Sequence, residues 1–377
     1  VLTDLVSNHP DVLQYRVTLA SYYSQAERND MAERVLRDAI AADPDDAERY
    51  ILLAGFYASN FDNEKAVAEL EGMTKKRPDL TKLQFALAQF YLRVEQQEKA
   101  ENVYRIIIDE YGVEPDGLAA RAALASLYHR QVKNTEACLL VEEVLKENQQ
   151  YNAALIIKGR LSMAERKYDD AFAAFRLVLK DQPDSVDVLT LLAAAHQANG
   201  EKELALENLA RAVEAEPDNL DVRMRYAKFL ANDGQLERAS EQLDAALEVE
   251  PEYVLALQAK AEILARQGNA GDLEEVLSRL EEASPETGFG AFGKGRLYKE
   301  QKRYDDAIAA FEGALAREPD SILALTEVVN AEIAKGDPDS AIRRLNAVLE
   351  KDPEHRIAHD LLGIAYMAKQ DYVSAEA

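Results

Sequence analysis

Along this chain, large apolar residues recur at helical spacing around small ones, as at Leu19, Ala20 and Tyr23 and again at Leu53, Ala54 and Tyr57. The small residues keep step over the whole length: Ala20, Ala54, Ala88, Ala125, Gly159, Ala193, Ala227, Ala261, Gly295 and Gly363, broken only by Val329. Twelve positions after each comes a second small residue: Ala32, Ala66, Ala100, Ala137, Ala171, Ala205, Ala239, Ala307, Ala341 and Ala375, broken only by Leu273. Between the two series lie short polar turns such as Glu27-Arg28-Asn29-Asp30 and Asn199-Gly200-Glu201. The pattern predicts two helices per period, brought close by their small residues. No stretch alternates as a strand would.

Proline punctuates the same period. Ten of the eleven, Pro10, Pro44, Pro78, Pro115, Pro183, Pro217, Pro251, Pro285, Pro319 and Pro353, stand 34 apart, except for 37 before Pro115 and 68 before Pro183. The 68 is two periods, with Gln149 at the intervening place. Each of these prolines precedes Asp or Glu. Proline stops one helix because it lacks an N–H, and the acid then lies near the positive start of the next.

These markers resemble the tetratricopeptide repeat, whose pattern runs Leu-Gly/Ala, Tyr, Ala, Phe/Leu, Ala, Pro. Lys294-Gly295, Tyr298, Ala307, Phe311, Ala314 and Pro319 form a near-consensus copy, apart from lysine at the leucine position. The family's first aromatic varies here (Arg16, Tyr50, Gln84, Arg121). The resemblance covers the whole chain. It implies an all-α, right-handed superhelical solenoid of antiparallel helix pairs. A single array is expected, with units at about 13–46, 47–80, 81–117, 118–151, 152–185, 186–219, 220–253, 254–287, 288–321, 322–355 and 356–377, and with 1–12 ending a preceding unit. Both Val1 and Ala377 fall inside second helices, and no polar capping element is visible. The chain therefore reads as an excerpt of a longer protein. Leu2, Leu5 and Val6 at the cut would promote end-to-end self-association.

Composition narrows the functions. A net charge of −25 argues against nucleic-acid binding, which needs a basic field. Cys138 is the only cysteine, so neither an intrachain disulfide nor a cysteine metal cluster can form. No apolar run reaches the roughly 18 residues of a bilayer span. Scarce cysteine, acidity and length are similar to long bacterial envelope and exopolysaccharide-export arrays, an analogy that favours periplasm or envelope over cytoplasm.

Two local breaks stand out. Asp109–Gly117 carries a three-residue insertion, expected to lengthen a helix end or widen a joint. Gly268–Gly295 holds six of the sixteen glycines and the one lost alanine, which predicts the weakest interface of the array. Within it, Gly288-Phe-Gly290-Ala-Phe-Gly293 spells a dinucleotide fingerprint, but without the preceding strand that a pyrophosphate-binding turn requires. His355 and His359, at i and i+4, have a zinc-compatible spacing, with neither a third ligand nor the glutamate of a zincin. No nucleophilic constellation is evident, so no catalytic residue, metal or cofactor is assigned, and the chain is expected not to be an enzyme.

The resemblance further implies that the first helices line a concave groove, through steps 2, 5, 6, 9, 12 and 13 of each unit. Those steps carry a basic strip: Arg93, His129, Arg130 and Arg160, then Arg225 and Lys228, then Arg266, Arg296 and Lys299. They also carry an apolar stripe of Leu255, Phe289, Phe292, Leu323, Ile333, Ile357, Ile364 and Met367. The competing readings are internal pairing for the cations and ordinary packing for the apolar residues. Neither the family's chaperone-tail clamp nor its asparagine ladder is present, Asn232 and Asn330 being the only asparagines at those steps. The expected function is a scaffold that binds a peptide or protein segment in the groove. The alternatives are an anionic polysaccharide along the basic strip, or a docking region for a catalytic domain elsewhere in a longer chain.

Overall fold

The computed structural model describes residues 1–9 and 11–376. Pro10, one of the punctuating prolines, and Ala377, expected inside a second helix, lie outside the described residues. Two compact units are present, Val1–Pro183 and Asp184–Ala377. Among the described residues there are 23 helices and no strand.

The first unit holds α1 (Leu2–Asn8), α2 (Leu13–Gln25), α3 (Asn29–Ala42), α4 (Ala47–Asn60), α5 (Asn63–Lys76), α6 (Thr81–Arg93), α7 (Gln97–Tyr111), α8 (Pro115–Arg130), α9 (Asn134–Glu147), α10 (Asn152–Ala164) and α11 (Tyr168–Asp181). The second holds α12 (Val186–Ala198), α13 (Lys202–Ala215), α14 (Leu220–Asn232), α15 (Leu236–Val249), α16 (Val254–Gln267), α17 (Ala270–Ala283), α18 (Phe289–Glu300), α19 (Tyr304–Arg317), α20 (Ile322–Lys335), α21 (Pro338–Lys351), α22 (Arg356–Ala368) and α23 (Tyr372–Glu376). Each even-numbered helix packs on the odd-numbered one that follows, and within each unit successive hairpins stack. The result is an all-α solenoid.

The small residues sit where the helices meet. Ala32, Ala54, Ala66, Ala88, Ala100, Ala125, Ala137 and Ala171 are fully buried in the first unit, as are Ala205, Ala239, Ala307 and Ala341 in the second. At Gly159 and Gly295, where glycine replaces alanine, a phenylalanine fills the space. A Cβ on Gly295 would lie 2.5 Å from the Phe311 ring, and one on Gly159 would strike the Phe175 ring. Caps close the joints after the prolines: Asp46, Asn219 and Ser321 accept the backbone N–H of Glu48, Val222 and Ala324.

Within the hairpins the turn is held by a left-handed residue. Gly200, Gly234, Gly268 and Gly336 serve in four turns, whereas Glu27, Glu95, Val132, Arg166, Lys302 and Gln370 adopt positive φ with a side chain present. The α4–α5 turn differs, with Phe61 at φ −132°.

Two expectations need correction. Pro115 does not end a helix: the inserted residues lengthen α8 at its start and put Pro115 in its first turn, where the missing N–H costs nothing. Nor does the glycine-rich segment pack loosely. A Cβ on Gly290 would lie 2.9 Å from both the Leu277 carbonyl oxygen and the Glu281 nitrogen, and one on Gly293 would strike the Leu277 side chain. These glycines let α18 approach α17 closely. Polar ties reinforce the junction, with Glu281 accepting from Lys294 at 2.9 Å and from Arg317 at 2.8 Å. The letters of the dinucleotide fingerprint thus fall at a helix start and in the helix interior, against another helix.

Candidate functional site

The second unit contains a groove of about 980 Å³ formed by α14, α16 and α18, the first helices of three successive hairpins. Each contributes one face. From α14 come Met224, Arg225 and Lys228; from α16, Leu255, Glu262 and Arg266; from α18, Phe289, Phe292, Arg296 and Glu300. Seven residues singled out from the sequence therefore share one cavity: Arg225, Lys228, Leu255, Arg266, Phe289, Phe292 and Arg296. Met224, Gln258, Glu262 and Glu300 also line it and were not singled out, although they occupy the same steps of the repeat.

Much of the groove wall is apolar. Leu255 is 55% exposed and Phe289 54%. Phe292 is half-buried, its ring 5.6 Å from that of Phe311, so one edge belongs to the core and the other faces the groove. The cations stand over this wall. Arg225, Lys228 and Arg296 make no hydrogen bond or ion pair among the described residues. Arg266 donates to the Ala231 carbonyl at 3.1 Å. Lys299 is engaged elsewhere, in an ion pair with Glu327. The acids Asp221, Glu262 and Glu300 share the lining, so the groove carries both signs with cations in slight excess. Internal pairing thus accounts for Lys299 but not for Arg225, Lys228 or Arg296.

The remaining candidates lie elsewhere. In the first unit Arg93 ends α6 with its guanidinium 4.8 Å from the centre of the Phe90 ring. His129 is tied to Asn134, Nδ1 to Oδ1, at 3.2 Å. Arg130 and Arg160 are exposed, with no hydrogen bond or ion pair among the described residues. In the second unit the apolar stripe divides. Leu323, Ile364 and Met367 are exposed, at 68%, 49% and 59%. Ile333 and Ile357 pack against the core of α19–α22, and that packing explains them.

The paired histidines have structural roles. His355 caps α22, its Nδ1 accepting the Ala358 N–H at 3.1 Å, and His359 Nε2 lies 2.8 Å from the Pro353 carbonyl. Among the described residues, no group of three His, Cys, Asp or Glu side chains is placed to hold a metal ion. Among the described residues, no helix is long and apolar enough to cross a membrane.

Family models described as tetratricopeptide repeat match residues 17–80, 203–263 and 298–365. No curated protein matches the sequence. Among solved structures, the C-terminal part of a TPR repeat-containing protein from Cytophaga hutchinsonii is similar at 15% identity and a TM-score of 0.54, over 65% of this chain and 99% of that one. Yeast Tom70 is similar at 14% identity over 97% and 90% of the two chains, with a TM-score of 0.39. YrrB, described as a TPR protein with an unusual peptide-binding site, is similar at 21% identity over 48% and 92%, also with a TM-score of 0.39. Matched in both units by the family models, and built within each unit of stacked helical hairpins, the chain belongs to the tetratricopeptide repeat family.

Proposed function

We propose that the chain is a protein-interaction scaffold, and that the groove of the second unit seats a partner segment in which acidic residues alternate with apolar ones. One observation carries this reading. Arg225, Lys228 and Arg296 line an apolar groove without an internal partner, in a protein whose net charge is −25. Such cations attract carboxylates from outside, and the low-dielectric wall strengthens that attraction. Phe289 and Leu255 supply the apolar contact that gives most of the affinity. Glu262 and Glu300 restrict where a partner's acids can sit, which sets register.

Selection of peptides from a random library on the intact protein tests this. Enriched sequences should combine Asp or Glu with large apolar residues, and Arg225→Glu with Arg296→Glu should weaken them at least tenfold. Enriched peptides without acids, or binding indifferent to both substitutions, would refute it.

A second reading rests on Arg130 and Arg160, exposed and unpartnered in the first unit, together with Arg93. It assigns this strip to an anionic polysaccharide. Alginate retention that falls steeply with salt and vanishes on charge reversal at Arg93, Arg130 and Arg160 would support it. Retention unchanged by those substitutions would remove it.

A further inference from the structure

Tyrosines at one step of the repeat plug the space between neighbouring hairpins. Tyr91 donates to Glu71 at 2.7 Å while Lys99 lies 5.0 Å from its ring centre. Tyr128 donates to Glu101 at 2.7 Å under Lys133 at 5.2 Å. In the second unit Tyr298 donates to Glu274 at 2.7 Å, with the Arg303 guanidinium 4.2 Å from the ring centre. Each phenol thus has a carboxylate for its hydroxyl, a cation for its face and apolar neighbours for its edge.

One repeat after Tyr128 the same step holds Ser162. It lies in a cavity of about 440 Å³ between α9, α10 and α11. Ser162 is only 9% exposed, and its hydroxyl makes no hydrogen bond among the described residues. The parts that would hold a phenol are nevertheless in place. Glu142 stands two repeats on from Glu71, and Lys167 one repeat on from Lys133; both line the cavity. Val141, Leu145 and Leu161 form its apolar side. Cys138 takes the step of Glu101, with its thiol 3.7 Å from Glu142. Lys167, lacking a ring to cover, pairs with exposed Glu165 at 2.7 Å.

We infer that this cavity is a socket for a phenolic ring from outside the chain, the tyrosine side chain of a partner protein. The hydroxyl would donate to Glu142 in place of the Cys138 thiol, and Lys167 would swing from Glu165 to the ring face. The site is separate from the groove of the second unit, and neither reading depends on the other.

Cys138, the only thiol, reports on the site from within. Its rate of alkylation by iodoacetamide would be followed in the full chain against added p-cresol, toluene and N-acetyl-tyrosinamide. The inference expects saturable protection by p-cresol and N-acetyl-tyrosinamide, with p-cresol half-effective at about a tenth of the toluene concentration, since a hydrogen bond to a charged acceptor is worth about that factor. Ser162→Tyr should lower the unliganded rate to the protected level and abolish the ligand effect. Should that variant fail to fold, Glu142→Ala, on an exposed residue, tests the same contact: p-cresol and toluene should then protect alike. Absence of protection, equal protection by toluene in the unmodified protein, or refusal of N-acetyl-tyrosinamide would each overturn the inference.

Discussion

Val132 is a branched residue held in a conformation that suits glycine. Its φ is 62° and its side chain is 79% exposed, so packing does little to compensate. The turn is held by backbone bonds, from Val132 N–H to the His129 carbonyl at 3.0 Å and from Lys133 N–H to the Tyr128 carbonyl at 2.9 Å. Val132→Gly keeps both. It removes a left-handed penalty of roughly 1–2 kcal/mol and adds about 0.5–1 kcal/mol of unfolded-chain entropy, a net gain of about 0.5–1 kcal/mol. Because each repeat leans on its neighbours, the gain should appear as a higher urea midpoint for the first unit, followed by circular dichroism. Amides of the α8–α9 turn should also exchange more slowly with deuterium. The matching change at Phe61 provides the contrast. There φ is −132°, so Phe61→Gly relieves nothing, and it forfeits the ring's contact with Phe56 at 6.0 Å and with Lys65 at 3.6 Å from the ring centre. That variant should lose about 1–2 kcal/mol. A midpoint that stays put or falls in Val132→Gly would show that the turn is not strained and refute the reasoning.

Gly159→Ala should destabilise by about 1–3 kcal/mol, because its methyl meets the Phe175 ring; Phe175→Leu should recover part of that in a double-mutant cycle, and purely additive losses would contradict the packing argument. Lys228→Glu combined with Arg296→Glu should cost at least tenfold in affinity for an acidic peptide chosen on the groove, with unfolding midpoints nearly unchanged, since neither side chain has an internal partner. At the α17–α18 junction burial disfavours the charge of Glu281, but hydrogen bonds from Lys294 and Arg317 outweigh it and hold the carboxyl below its usual range. The folded state therefore binds this proton less readily than the unfolded one. Its stabilisation is present above the ordinary carboxyl pKa of 4.5 and is lost as pH falls through the lowered value. Acid should thus reduce the protection of amides at this junction, taken relative to the intrinsic exchange rate at each pH, and Glu281→Gln should flatten that dependence.

The repeat was legible because its signals are the residues the geometry demands. Small residues fit where Ala32 and Ala54 are completely enclosed, and they return in nearly every period, with Leu273 and Val329 the exceptions. The groove faces were readable for the same reason, since once the step is known the residues of α14, α16 and α18 fall into line. Partnering was not readable: nothing in the letters separates Lys299, which has Glu327, from Lys228, which has no such partner. Pro115 misled because proline serves equally before a helix and in its first turn. The glycines of α18 misled because their cost is local and visible, while the Leu277 backbone that compensates lies on another helix. The α9–α11 cavity escaped because it arises from two modest departures, Ser162 and Cys138, which matter only together.

The ties between hairpins have a reach of about one period. Arg77 pairs with Asp45, Arg317 with Glu281 and Arg344 with Glu312. The side-chain hydrogen bonds of Ser24 with Asn60 and of Arg317 with Glu281 each join positions 36 apart. A nascent chain leaving the ribosome therefore never waits for a distant segment. Each hairpin can settle once the next period has emerged, and synthesis and folding can advance together from the first repeats onward.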